Sequence, residues 1–196
     1  MNPAPQIALI LSCLGIGWSG QVEVKYNLAG PFFPMYAEHA MEVAYARNDF
    51  LIPFIRFAIL DRDYEQEYWD GGVAGRSTEK GYEVWIGEKI RPIAELRGLK
   101  LLISYRHAGI DFAHEGFGPS SVIGKDEITA DAIGGGLCYA FVFNDVFVIE
   151  PFWYGDYGRY DIKKVYGDTK PNSPYEHEWD DEHRVGVNFG LKLGYP

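Results

Sequence analysis

The stretch His183-Arg184-Val185-Gly186-Val187-Asn188-Phe189-Gly190-Leu191-Lys192-Leu193-Gly194-Tyr195 decides the fold. From Val185 onward every second residue is large and apolar, while Arg184, Gly186, Asn188, Gly190, Lys192 and Gly194 fill the places between. A period of two describes a strand with unlike faces. One face is a stripe of about six apolar residues, roughly 20 Å long at strand rise, which suits a tilted crossing of hydrocarbon. The other is small or charged, as the interior of a narrow barrel requires.

The same alternation recurs upstream. Residues 17–26 place Val22, Val24 and Tyr26 against Glu23 and Lys25. Residues 37–47 oppose His39, Met41, Val43 and Tyr45 to Glu38, Ala40, Glu42 and Ala44. Further strands are predicted over 53–64, 81–89, 99–112, 127–143 and 146–160, with 183–195 as the last of eight. The fifth changes phase at Ala108-Gly109, where Ile110 and Phe112 become the apolar set, and a bulge would do this. In the seventh, Pro151 cannot donate to a ladder; Phe147, Ile149 and Trp153 are read outward because this turns Glu150 inward. One helical turn fits 92–96, and Asn144-Asp145 is a tight turn. Short connections alternate with long polar ones, the longest being 161–182.

Composition agrees with strands. The chain of 196 residues holds 14 Tyr, 12 Phe and 23 Gly, a mixture that favours strands and tight turns over helices. Its net charge of -10 argues against nucleic acid as a partner, since phosphate binding needs a basic face. No apolar run approaches the ~20 residues of a membrane helix. Residues 1–19 read as a signal peptide around the apolar run 7–18, leaving 20–196 as one barrel domain and Cys138 as an unpaired thiol.

The alternating final strand, closing on the aromatic Tyr195 one residue from the end, resembles the bacterial outer-membrane β-barrel proteins of the OmpA and OmpX kind. That resemblance implies an all-β, antiparallel, up-and-down transmembrane barrel of about eight strands in the bacterial outer membrane. Its expected surroundings are outer-membrane lipid and lipopolysaccharide, and its expected state is a monomer without a cofactor. A soluble lipocalin-like lipid carrier is the rival, because either face of an alternating strand can be the interior. Gly and Ala on the polar faces, aromatics near strand ends and loops of unequal length on the two rims favour the membrane.

Three groups of residues are candidates for chemistry. Glu42, Arg56, Glu83, Lys100, Arg106, Glu150, Arg184 and Lys192 fall on inward faces with both signs present, so they are expected to form ion pairs that close the lumen. Glu176, His177, Glu178, Asp180, Asp181, Glu182 and His183 are a dense set of oxygen and imidazole groups in the predicted loop, a candidate metal or cation site. With the acidic segment 61–70 they suggest a cationic or metal-bridged surface partner. His107 with Asp111 suggests an acyl hydrolase or transferase acting on lipid A or phospholipid, with Ser120 or Ser121 as nucleophile. The His-x-Ser order of the lipid A deacylases is missing, since Gly109 stands two places after His107. The expectation is therefore a non-enzymatic barrel displaying acidic loops for surface interaction or envelope integrity.

Overall fold

A computed structural model describes residues 21–27, 38–46, 50–67, 73–93, 95–116, 123–166 and 175–193. Nine strands occur among them: β1 (Gln21–Asn27), β2 (Glu38–Ala46), β3 (Leu51–Glu67), β4 (Val73–Ile90), β5 (Leu99–Gly116), β6 (Ile123–Tyr139), β7 (Phe141–Phe143), β8 (Phe147–Tyr166) and β9 (Tyr175–Leu193). All pair antiparallel with their neighbours in the chain, apart from β6, which pairs with β8 across the short β7. The β1–β9 pairing closes the ring. The result is an up-and-down barrel of eight strands, with β7 a three-residue extension along β8.

Registers give the barrel its shape. Stepping across the sheet from Val24 leads through Val43, Ile55, Ile86, Tyr105, Ile133 and Tyr157 to Asp181. Stepping the other way from Val24 reaches Leu191, ten residues along the same strand from Asp181. A stagger of this size in eight strands tilts them by about 40° and leaves a narrow interior lined by side chains.

The alternation decides which side meets lipid. Val185, Phe189 and Leu191 are 59%, 39% and 43% exposed, whereas Arg184 and Asn188, on the alternate positions, are buried. On β3, Ile55, Phe57 and Ile59 face out while Arg56, Ala58 and Leu60 are buried inside. A lipocalin-like carrier would reverse every one of these, so the soluble reading is overturned. Tilted strands gain about 2.5 Å of height per residue, which gives the outward face of β8 from Phe147 to Tyr157 about 25 Å, the height of an outer-membrane apolar band. Beyond it the outward residues turn polar: Arg159 on β8, Asp61 on β3 and Lys80 on β4.

Several expectations need correction. The strands are longer than predicted: β8 and β9 absorb most of 161–182, and β4 begins at Val73. They continue past the apolar band, where both faces are wet and alternation fades. The fifth strand carries no bulge. Its pairings with β4 and β6 run without interruption through Ala108 and Gly109, so Ile110 and Phe112 point inward. A register shift lies between Gln66 and Glu67 instead. The described residues between β4 and β5 form bends and a turn, with no helix. Asn144 and Asp145 both adopt positive φ, 51° and 57°, and Val146 N–H donates to Phe143 O at 3.1 Å, a tight hairpin whose twist matches its strands. The predicted signal peptide and Tyr195 lie outside the described residues.

Candidate functional site

The lumen holds two charge clusters separated by an aromatic layer. On the side of the short turns, β1 supplies Glu23 and Lys25, β2 Glu42, β4 Lys89, β5 Lys100 and β8 Glu150, all buried. Lys25 Nζ lies 2.8 Å from both Glu150 Oε2 and Glu23 Oε2 and 3.4 Å from Glu42 Oε1. Lys89 Nζ bridges Glu42 at 2.5 Å and Glu150 at 2.6 Å. Lys100 stands 3.6 Å from Glu23 and 3.7 Å from Glu150. Asn188 Nδ2 adds a hydrogen bond to Glu150 Oε1 at 3.3 Å. Three ammonium groups thus meet three carboxylates in a space without bulk water, where either set alone would be strongly unfavourable.

Toward the long-loop side, two arginines meet three acids. Arg106 Nη1 is 2.9 Å from Glu83 and 3.0 Å from Glu182, and its Nε is 2.7 Å from Asp156. Its Nη2 donates to the Tyr160 hydroxyl at 2.6 Å. Arg184 grips Glu83 through both terminal nitrogens and reaches Glu182 at 2.6 Å. Planar guanidinium groups suit such multiple carboxylate contacts.

Between the clusters, Trp85 stacks on Tyr154 with centroids 5.1 Å apart. Arg56 lies over Trp85 at 4.2 Å and over Phe152 at 5.0 Å, and Arg184 covers Trp85 at 5.1 Å. Ser104 Oγ donates to the Tyr154 hydroxyl at 3.0 Å. Gly134 makes room for that ring, since a Cβ there would stand 2.5 Å from the Tyr154 hydroxyl.

Of the inward residues named from sequence, Glu42, Arg56, Glu83, Lys100, Arg106, Glu150 and Arg184 are buried in the lumen. Lys192 faces inward but is half-exposed at the short-turn rim. Sequence reasoning missed Lys89, Asp156 and Glu182 as lumen charges. Parity would have found them: Lys89 is in phase with Glu83, Asp156 with Glu150, and Glu182 with Arg184.

The candidate metal group is divided by its own strand. On β9, His177, Asp181 and His183 share the outward face, and Glu178, Asp180 and Glu182 the inward one. Glu182 belongs to the arginine cluster. Among the described residues no group of three His, Cys, Asp or Glu side chains is placed to hold a metal.

His107 does meet a carboxylate, but a different one. Its Nδ1 is 2.8 Å from Asp131 Oδ1, an oxygen that also accepts from the Tyr105 hydroxyl. Asp111 instead faces Lys125 at 3.6 Å. The described serines, Ser77 and Ser104, are buried in the lumen, on the opposite face of the sheet from His107. Ser120 and Ser121 lie outside the described residues.

Above the apolar band the outward faces carry ion pairs in water. Arg76 bridges Asp63, Lys163 reaches Glu127 at 2.7 Å, and His177 meets Asp161 at 2.5 Å. Hydrogen bonds from Arg76, Lys163 and His177 hold these three carboxyls below their ordinary range.

Solved structures share this architecture. The chain is similar to a major outer membrane protein from Thermus thermophilus, with a TM-score of 0.54 at 7% identity, covering 89% of this chain and 98% of that one. CarO of Acinetobacter baumannii aligns over 92% of this chain and 99% of its own, at 12% identity and a TM-score of 0.49. No family model and no curated protein sequence matches the chain. At such identities the likeness is one of fold, and the fold is that of the outer-membrane β-barrels.

Proposed function

We propose that this chain, built as a small outer-membrane β-barrel, is a non-enzymatic envelope protein whose lumen is plugged and whose acidic strand ends and loops serve surface interaction. Neutralisation of the lumen supports this reading most strongly. Among the described residues, the two clusters and the aromatic layer between them hold six cations, Lys25, Arg56, Lys89, Lys100, Arg106 and Arg184, and six carboxylates, Glu23, Glu42, Glu83, Glu150, Asp156 and Glu182. A selective pore would instead line an open path with one sign of charge. Breaking a buried pair costs about 3–5 kcal/mol, so the plug is a stable part of the fold.

The outer rim gives the display its character. Glu178, Asp180 and Asp181 are exposed there, and Tyr157 stacks on Trp179 on the outward face beside Asp181. The reading places this rim outside the cell, because both ends of the barrel domain lie at the short-turn side.

Planar-bilayer recording tests the plug. The purified barrel is expected to give no steady conductance in neutral salt; a stable, large-conductance state in most insertions would overturn the reading. Acyl release from lipid A or phospholipid, lost on His107→Ala, would replace it with the hydrolase.

A further inference from the structure

We propose that the lipid-facing wall of β5, β6 and β8 holds one glycolipid, an acyl chain in a dent over Gly135 and the sugar headgroup on a polar row above it. From the reading above, the inference takes only that the long-loop rim faces outside the cell.

Register sets the polar row. His107, Asp131 and Arg159 are consecutive partners across the three strands, all on the outward face. Neighbouring strands lie about 4.8 Å apart, so the row spans about 10 Å. It stands at the upper edge of the apolar band, because the next outward residues below it are Tyr105, Ile133 and Tyr157, all exposed. His107 Nδ1 lies 2.8 Å from Asp131 Oδ1, which also accepts from the Tyr105 hydroxyl, and Arg159 Nε donates to Asp161 Oδ1 at 2.8 Å. All three side chains of the row nevertheless remain open to the lipid boundary. Ionisable groups set against hydrocarbon are expensive, and where they occur they mark a site.

Below the row the wall is hollowed. Gly135 and Gly155 are partners in the sheet, so two adjacent strands lose their outward side chains at one level. The ring of His183, stacked on Trp153 with centroids 5.8 Å apart, covers Gly155. Gly135 stays open: among the described residues, a Cβ there would have one neighbour within 4 Å, the Leu102 carbonyl oxygen. Ile103, Ile133, Leu137 and the Trp153–His183 stack bound this dent, and all lie within the apolar band. Its occupant is an acyl chain.

Charge selects the headgroup. Asp131 and Asp161 would repel a phosphate placed on the row, and Arg159 would repel an ammonium group. Hydroxyls suit the whole row, since they donate to the carboxylate and accept from the guanidinium. Two linked sugar rings span such a row, whereas one small ionic group does not.

The test uses the whole barrel in a detergent without sugar. Four lipids are titrated: lipid A, an acylated glucosamine disaccharide carrying phosphate; its dephosphorylated form; phosphatidylethanolamine; and phosphatidylglycerol. Both forms of lipid A are expected to shift the methyl resonances of Ile103 and Ile133, saturating at one molecule per barrel. Met41, outward on the opposite wall, is expected to stay in place. The two phospholipids are expected to bind at least about tenfold more weakly. Asp131→Ala and His107→Ala are each expected to weaken binding of dephosphorylated lipid A by about tenfold. Asp61→Ala, at an outward position on β3, is expected to leave it unchanged.

Equal binding of the phospholipids, or equal shifts at Met41, overturns the proposal in favour of a merely greasy wall. Loss of binding on dephosphorylation overturns recognition through hydroxyls. Unchanged affinity in both Asp131→Ala and His107→Ala overturns the polar row. These outcomes are independent of conductance, so a failed plug and a failed lipid site are told apart.

Discussion

Lys25 and Glu150, 125 positions apart in the chain, meet at 2.8 Å inside the barrel. Each is a hub: Lys25 touches three carboxylates, and Glu150 is approached by three lysines. Removing the acid leaves three ammonium groups with only two carboxylates, Glu23 and Glu42. Glu150→Ala is expected to destabilise the folded barrel by about 3–5 kcal/mol, measured by urea titration in lipid vesicles. Glu150→Ala combined with Lys25→Met is expected to recover part of the loss, as coupled partners do. An unchanged midpoint in the single variant would contradict the role given to the cluster.

The lipid face makes a positional prediction. Ile55 faces outward between Val43 and Ile86 of its neighbouring strands, and Asp61 faces outward beyond the apolar band. Ile55→Arg is expected to cost about 2–4 kcal/mol, and Asp61→Arg less than about 1 kcal/mol, by the same titration. Equal costs would mean that the two positions share one environment.

Much of this arrangement was legible in residue parity. Wherever a strand lies within the apolar band, lipid on one side and a charged lumen on the other keep the two faces unlike. Ile55, Arg56, Phe57 and Ala58 could therefore be assigned one by one. Above the band that contrast disappears. Ile110 and Phe112 look like an outward apolar set but point in, and the acidic run from Asp161 to Glu182 looks like a loop but is mostly strand. Pro151 obscured β8 for a local reason. The pairing of β6 with β8 ends at Cys138–Phe152 and that of β7 starts at Phe141–Ile149, so the residue without an N–H lies opposite the break. Which cation meets which acid across the lumen depends on the stagger of the closed ring, and alternation within single strands does not encode it.

The outer pairs respond to pH. A hydrogen bond from His177 holds the Asp161 carboxyl below its ordinary 3.8. A depressed carboxyl favours the folded arrangement at pH above the ordinary value, and the contribution is lost as pH falls through the folded value. The side-chain carbonyl carbon resonance of Asp161 is expected to titrate below 3.8, and His177→Ala to move the midpoint upward. No movement would show that the pair does not persist in solution.

Heat adds a simpler check. A barrel closed between β1 and β9 has no ordinary edge within the membrane. Unheated protein in a denaturing gel is expected to run as a compact species and to shift on boiling. Deleting the closing residues 188–193 is expected to abolish the compact species, since β1 would lose its partner; a deleted chain that still ran compact would refute closure through this pair.

The orientation of the sheet is tested most directly with two tryptophans on opposite faces of the wall. Trp153 faces outward, 46% exposed, and Trp85 is buried in the lumen at 3%. In proteins retaining only one of them, lipid brominated along its acyl chains is expected to quench Trp153 strongly and to leave Trp85 nearly unchanged. Strong quenching of Trp85 with little effect on Trp153 would contradict the account, because it would turn the charged face of the barrel toward lipid.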